Sequence, residues 1–259
     1  MSPFSGVVRH EFKMSVRRRG LWISYSLLFL FFGLALFTPP HTGPTDIFSS
    51  GSIWQDAGES VYFFNLLMPL VGGILAADRM QRDVRLGVRE LQTSTPLSHL
   101  TYVLGKYVGV LLSLLLPMFL WVMAISLFAI ASGQASPILI GAVMVAFLAI
   151  AVPSFAFIVA FSLACPLIMP LRVYQILFTG YWFWGNFLNP EVFPTVSGTL
   201  LNSSGIYAQQ GFFKGLVSKS TKELHTPLEA WLNILVLGLC ATAVLFVLDR
   251  YLAWQEKRA

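Results

Sequence analysis

Between Lys106 and Arg172 the chain carries no Asp, Glu, Lys, Arg or His. A soluble domain cannot sustain such a run, because its residues are about 25% charged. Here charged residues make up 11% of the 259 and hydrophobic residues 56%, with a mean hydropathy of +0.71. The expected fold is an all-α, multi-pass membrane protein, one transmembrane domain over residues 1–259. Cys165 and Cys240 both lie in apolar runs and read as small packing residues rather than a disulfide or a metal pair.

The apolar runs and their breaks predict six spans, at residues 21–37, 60–77, 102–131, 138–163, 173–188 and 230–248. Pro39-Pro40 ends the first, and Pro153 predicts a kink in the fourth. The third exceeds the ~20 residues a bilayer requires. Gly105 and Gly109 near its start have the spacing that lets another helix approach closely. Tyr181, Trp182, Phe183 and Trp184 end the fifth span in the manner of an interfacial aromatic belt. Residues 38–59 form a loop holding Asp46, Asp56 and Glu59 but no Lys or Arg. Residues 189–229 form the longest loop and read as partly membrane-dipping or interfacial. Within it, Asn202-Ser203-Ser204 matches a glycosylation sequon, which has meaning only in a secretory pathway.

Topology follows from the basic residues. With the N-terminus cytoplasmic, fourteen Lys and Arg fall on the inner side and only Lys214, Lys219 and Lys222 on the outer. That is a strong positive-inside bias. It predicts both termini in the cytoplasm, as for a bacterial inner (plasma) membrane protein. The net charge of +5 is therefore a topology signal and implies no nucleic-acid partner. Basic residues before Leu21, with no small-residue cleavage pattern after the apolar run, predict an uncleaved first span.

Residues 3–19 read as a basic amphipathic helix lying in the headgroup plane of the lipid bilayer. Phe4, Val8, Phe12 and Val16 form its apolar stripe, and Arg9, Lys13 and Arg17 its basic one. The competing reading is a simple extension of the first span. The Arg17–Gly20 break favours an interfacial elbow.

Residues 78–101, joining spans two and three, read as a cytoplasmic segment with a two-faced helix from Arg79 to about Leu91. Met80, Val84, Val88 and Leu91 share one face at ~100° per residue. Arg82, Arg85 and Arg89 lie opposite, with Asp83 and Glu90 between them. Pro96 forces the preceding residue out of the helical region, and Ser98 can cap the next helix. Such a segment can dock a soluble partner, or it can be a solvated loop that only fixes topology.

No ionisable residue is expected in the middle of a span, which argues against a proton-relay transporter or an acid–base enzyme. The four histidines are scattered over both sides. Gly105-Lys106 is followed by Tyr107 and lacks the upstream glycine of a phosphate-binding loop. The chain is thus expected to bind no cofactor and to be no enzyme itself.

The run Asp78-Arg79, Arg82-Asp83, Gly87, Glu90-Leu91, Pro96, Ser98, Tyr102 and Gly105-Lys106 resembles the span 2–span 3 connection of type-2 ABC transporter permeases. The six-span layout extends that resemblance over most of the chain. It implies a transmembrane permease of an ATP-driven, exporter-like transporter, pairing with a second permease copy as a homo- or heterodimer. It also implies a separate cytoplasmic ABC ATPase carrying the ATP and Mg, since no ATPase domain is fused here. Its docking residues would be Met80, Arg82, Asp83, Val84, Arg85, Val88, Arg89, Glu90 and Leu91. A non-transporting membrane anchor or assembly scaffold for a cytoplasmic partner would carry the same docking helix. A channel is disfavoured, because no span shows a polar stripe or charged ring.

Overall fold

In the computed structural model, the described residues are 3–37, 52–85, 98–214 and 225–256. They are helical, with no strand among them. In chain order the helices are α1 (Pro3–Val16), α2 (Arg19–Phe37), α3 (Ile53–Asn65), α4 (Met68–Arg85) and α5 (His99–Ala131). Then come α6 (Leu139–Ala146), a π turn (Phe147–Ala151), α7 (Val152–Ala164) and a 3-10 turn (Cys165–Leu167). Last are α8 (Leu171–Asn186), α9 (Ile206–Phe213) and α10 (Pro227–Glu256).

Three units are long and apolar enough to cross a membrane: α5, the joined stretch Leu139–Leu167, and Pro227–Gln255 of α10. A fourth forms if α3 and α4 count as one span bent by 43°. The other two expected spans fall on α2, 19 residues long, and on α8, 16 residues long. Sixteen residues at 1.5 Å each reach about 24 Å, short of a ~30 Å hydrocarbon core. Among the described residues, three or four units thus meet the length and composition of a span, and α2 and α8 hold the other two expected positions.

The expected second span, 60–77, needs correction. Its helix begins at Ile53, so Asp56 and Glu59 leave the predicted loop and become buried on α3. Gln55 donates a 2.8 Å hydrogen bond to Glu59 within that helix. The bend follows from Pro69, which cannot donate to the carbonyl four residues back and whose ring crowds it. The Leu66 carbonyl at the bend accepts a 2.9 Å bond from Trp182 Nε1. Trp182 is therefore wholly buried rather than part of an aromatic belt, while Phe183 and Trp184 beside it remain exposed. Trp182→Phe leaves that carbonyl without its donor. The expected cost is about 1–3 kcal/mol, read as a lower Tm in detergent.

The expected kink at Pro153 takes a specific form. The π turn ends at Ala151, two residues before Pro153, and absorbs the lost hydrogen bond. On its far side, the segment 202–205 packs into the bundle. Asn65 Nδ2 donates to Ser154 Oγ at 2.9 Å and to the Ser204 carbonyl at 2.7 Å. Asn233 Nδ2 donates to the carbonyls of Leu200 and Asn202, each at 2.9 Å. Gly205 holds φ +87° there, and a Cβ would stand 2.6 Å from Ile150 Cγ2. The predicted long loop is thus partly a buried structure, continued by α9. Its Asn202 amide is buried and donates to the Ser197 carbonyl at 2.7 Å, so the sequon is packed away.

Candidate functional site

The expected close approach at Gly105 and Gly109 occurs, and the approaching helix is α1. A Cβ on Gly105 would lie 2.8 Å from Val7 Cγ1, and one on Gly109 would lie 2.7 Å from Glu11 Cβ and 2.9 Å from the Val8 carbonyl oxygen. Two glycines one turn apart therefore make a groove into which the N-terminal helix fits backbone to backbone. The depth of that fit carries Glu11 inward.

Glu11 meets Lys106 there. Lys106 Nζ donates to Glu11 Oε1 at 2.7 Å and to Asp83 Oδ2 at 2.6 Å, and the lysine side chain is 0% exposed. Tyr102, one turn back on α5, donates its hydroxyl to the same Asp83 oxygen. The ammonium lies 5.7 Å from the Tyr102 ring centre. Nearby, Arg18 in the turn between α1 and α2 pairs with Asp78 at 3.0 Å. Three elements are thereby cross-tied: the N-terminal helix, the far end of α4 and the start of α5. A buried ion pair of this kind loses heavily if one partner is removed, and its net gain over apolar packing is small. Its value lies in fixing register.

The structure sorts the predicted docking residues. Residues 79–85 do not start a new helix but form the last turns of α4, continuous with its apolar part. Met80 is 2% exposed and packs in the chain's own core. Arg82 faces outward, while Asp83 turns to Lys106. Val84 and Arg85 lie in the final turn of α4. Val88, Arg89, Glu90 and Leu91 lie outside the described residues. Ser98 caps α5, accepting from the Thr101 amide at 3.3 Å.

On α1, Phe4, Arg9 and Lys13 are exposed, as is Arg17 just after it, and Val8, Phe12 and Val16 are half-buried. The fully buried positions are Glu11 and Ser15, one step round from the predicted apolar stripe. Helical periodicity missed them because it counts apolar residues. The available signal was Glu11 itself, the one acidic residue before Asp46 in an otherwise basic stretch.

The family profile described as ABC-2 family transporter protein matches residues 6–168. The chain belongs to this family. A comparison with curated proteins found no match. The matched region holds Glu11, Asp83, Tyr102 and Lys106 together, and it ends just after the 3-10 turn, before α8. An ABC-2 permease is the membrane-embedded transport component of an ABC transporter and not its catalytic part. The family generally implies an ABC ATPase partner and a dimeric arrangement. In this permease the cross-tied cluster therefore joins α1, the last turns of α4 and the start of α5 within the matched region.

Proposed function

We propose that this permease is exporter-like and energised by a separate cytoplasmic ATPase docking on the connection between α4 and α5. The observation carrying this reading is the continuity of α4. It runs from the bend at Leu66-Leu67, through apolar packing, to Asp83 and the charged exit without a break. A push on the exit is then a push on a rigid rod. Lys106 and Glu11 pass the load to α5 and α1, while the bend absorbs the change in angle, a hinge-like mode of rigid-body switching. The termini are cytoplasmic in this reading, in line with the positive-inside bias.

The test combines co-purification with charge reversal. The tagged permease, extracted from its native cell in mild detergent, should bring down a soluble ATPase in stoichiometric amount. Arg85→Glu with Arg89→Glu should leave membrane insertion intact and reduce coupled transport by about tenfold or more, in line with lost charge-assisted contacts. Transport unchanged in the double variant would remove the docking assignment. No ATPase even after cross-linking would point instead to a non-transporting anchor.

A further inference from the structure

Arg79 is 4% exposed, and its Nη1 has no hydrogen-bond partner among the described residues. A guanidinium cannot shed its proton to escape burial, so an unpartnered nitrogen in such a place calls for an acceptor, and an anion is the strongest one. The charges acting on it are Arg18, Glu11, Arg82 and Asp78. Of these, Asp78 is paired with Arg18, and Glu11 with Lys106 through Oε1 alone, its Oε2 having no hydrogen-bond partner among the described residues.

Arg79 lines a cavity of about 110 Å³ bounded by α2, α4 and α5. A single water needs only ~10–15 Å³ by that measure, so a phosphate group fits. Arg18 lines the same cavity, using one guanidinium nitrogen on Asp78 and keeping others for a second acceptor. Gly20 and Leu21, in the first turn of α2, form part of the wall, and a helix start favours negative charge. The remaining walls are Leu75, Ala76, Val110 and Leu114, with the Ser113 hydroxyl already bonded to the Val110 carbonyl. The site therefore joins two cations at its polar side to an apolar interior.

We propose that this cavity binds the phosphate of an anionic phospholipid, held between Arg18 and Arg79, with the start of an acyl chain along Leu21 and Leu114. The lipid would come from the leaflet in which the α1–α2 turn sits. A free phosphate would satisfy the arginines but leave the apolar walls unused.

The full-length permease in neutral detergent is titrated with dioleoyl phosphatidylglycerol, with dioleoylglycerol and with inorganic phosphate, and binding is read by native mass spectrometry and Tm. Phosphatidylglycerol should bind and raise Tm, with dioleoylglycerol and inorganic phosphate having little effect. Arg79→Gln should weaken phosphatidylglycerol binding by about tenfold, the loss of one charge-assisted contact. Arg18→Gln, at a half-buried position, should do the same and serves if Arg79→Gln does not fold. Equal binding of dioleoylglycerol, or unchanged binding in the variants that fold, would overturn the site. Inorganic phosphate matching the lipid at equal concentration would overturn the lipid as its occupant.

Discussion

Lys106→Met is expected to give the largest loss of stability of any single change in the charged cluster, about 3–5 kcal/mol. The ammonium is fully buried and serves two carboxylates from elements far apart in sequence. Methionine keeps the volume but removes the cation that bridges Glu11 and Asp83. Asp83 would keep the Tyr102 hydroxyl, but Glu11 is itself buried, and its second oxygen already has no hydrogen-bond partner among the described residues. The readout is Tm in detergent, followed by size-exclusion profile. A triple variant, Lys106→Met with Glu11→Gln and Asp83→Asn, should recover most of the loss, because removing all the charges spares their desolvation. An unchanged Tm in Lys106→Met would mean that the cluster is not buried as described.

Gly109→Leu is the second large effect, and its cause is steric. The new Cβ would meet Glu11 Cβ at 2.7 Å, the Val8 carbonyl oxygen at 2.9 Å and the Phe12 amide nitrogen at 3.2 Å. Two of these are backbone atoms that cannot rotate away, so α1 must lift off α5. Overpacking of this kind costs about 1–3 kcal/mol or more, and here it also pulls Glu11 from Lys106. The expected signature is a lower Tm together with protease cleavage near Arg17-Arg18-Arg19. Gly141→Leu is the control. Nothing lies within 4 Å of a Cβ there, and replacing a helical glycine should be neutral or gain up to ~1 kcal/mol. Equal behaviour of the two variants would count against the groove.

The long helices were legible because an uninterrupted apolar run has few alternatives. The spans predicted at 102–131 and 138–163 appear as His99–Ala131 and Leu139–Leu167. The start of α3 was not legible, since Asp56 and Glu59 read as solvent markers while the fold buries them. Charge also misplaced the end of α4. A helix need not stop where the hydrocarbon stops, and α4 continues past Asp78 and Arg79 to Arg85. For the site, the sequence could show that Gly105 and Gly109 admit a close neighbour, but not which one. The Glu11–Lys106 pair spans 95 positions. No periodicity links residues that far apart, and a lone glutamate in a basic stripe looks like an ordinary wet residue.

That separation also sets an order of events during synthesis. Glu11 leaves the ribosome well before Lys106, and at ~5–20 residues per second the delay is about 5–20 s. Throughout it, α1 has no groove to enter, because the glycines that form the groove are not yet made. Until then the Glu11 carboxylate lacks the lysine that pairs with it in the folded chain. Docking is therefore a late step, completed only when α5 has been inserted beside it. A nascent chain stalled before Gly105 would carry an undocked N-terminal helix, and the groove exists only once α5 has been made and has taken its place.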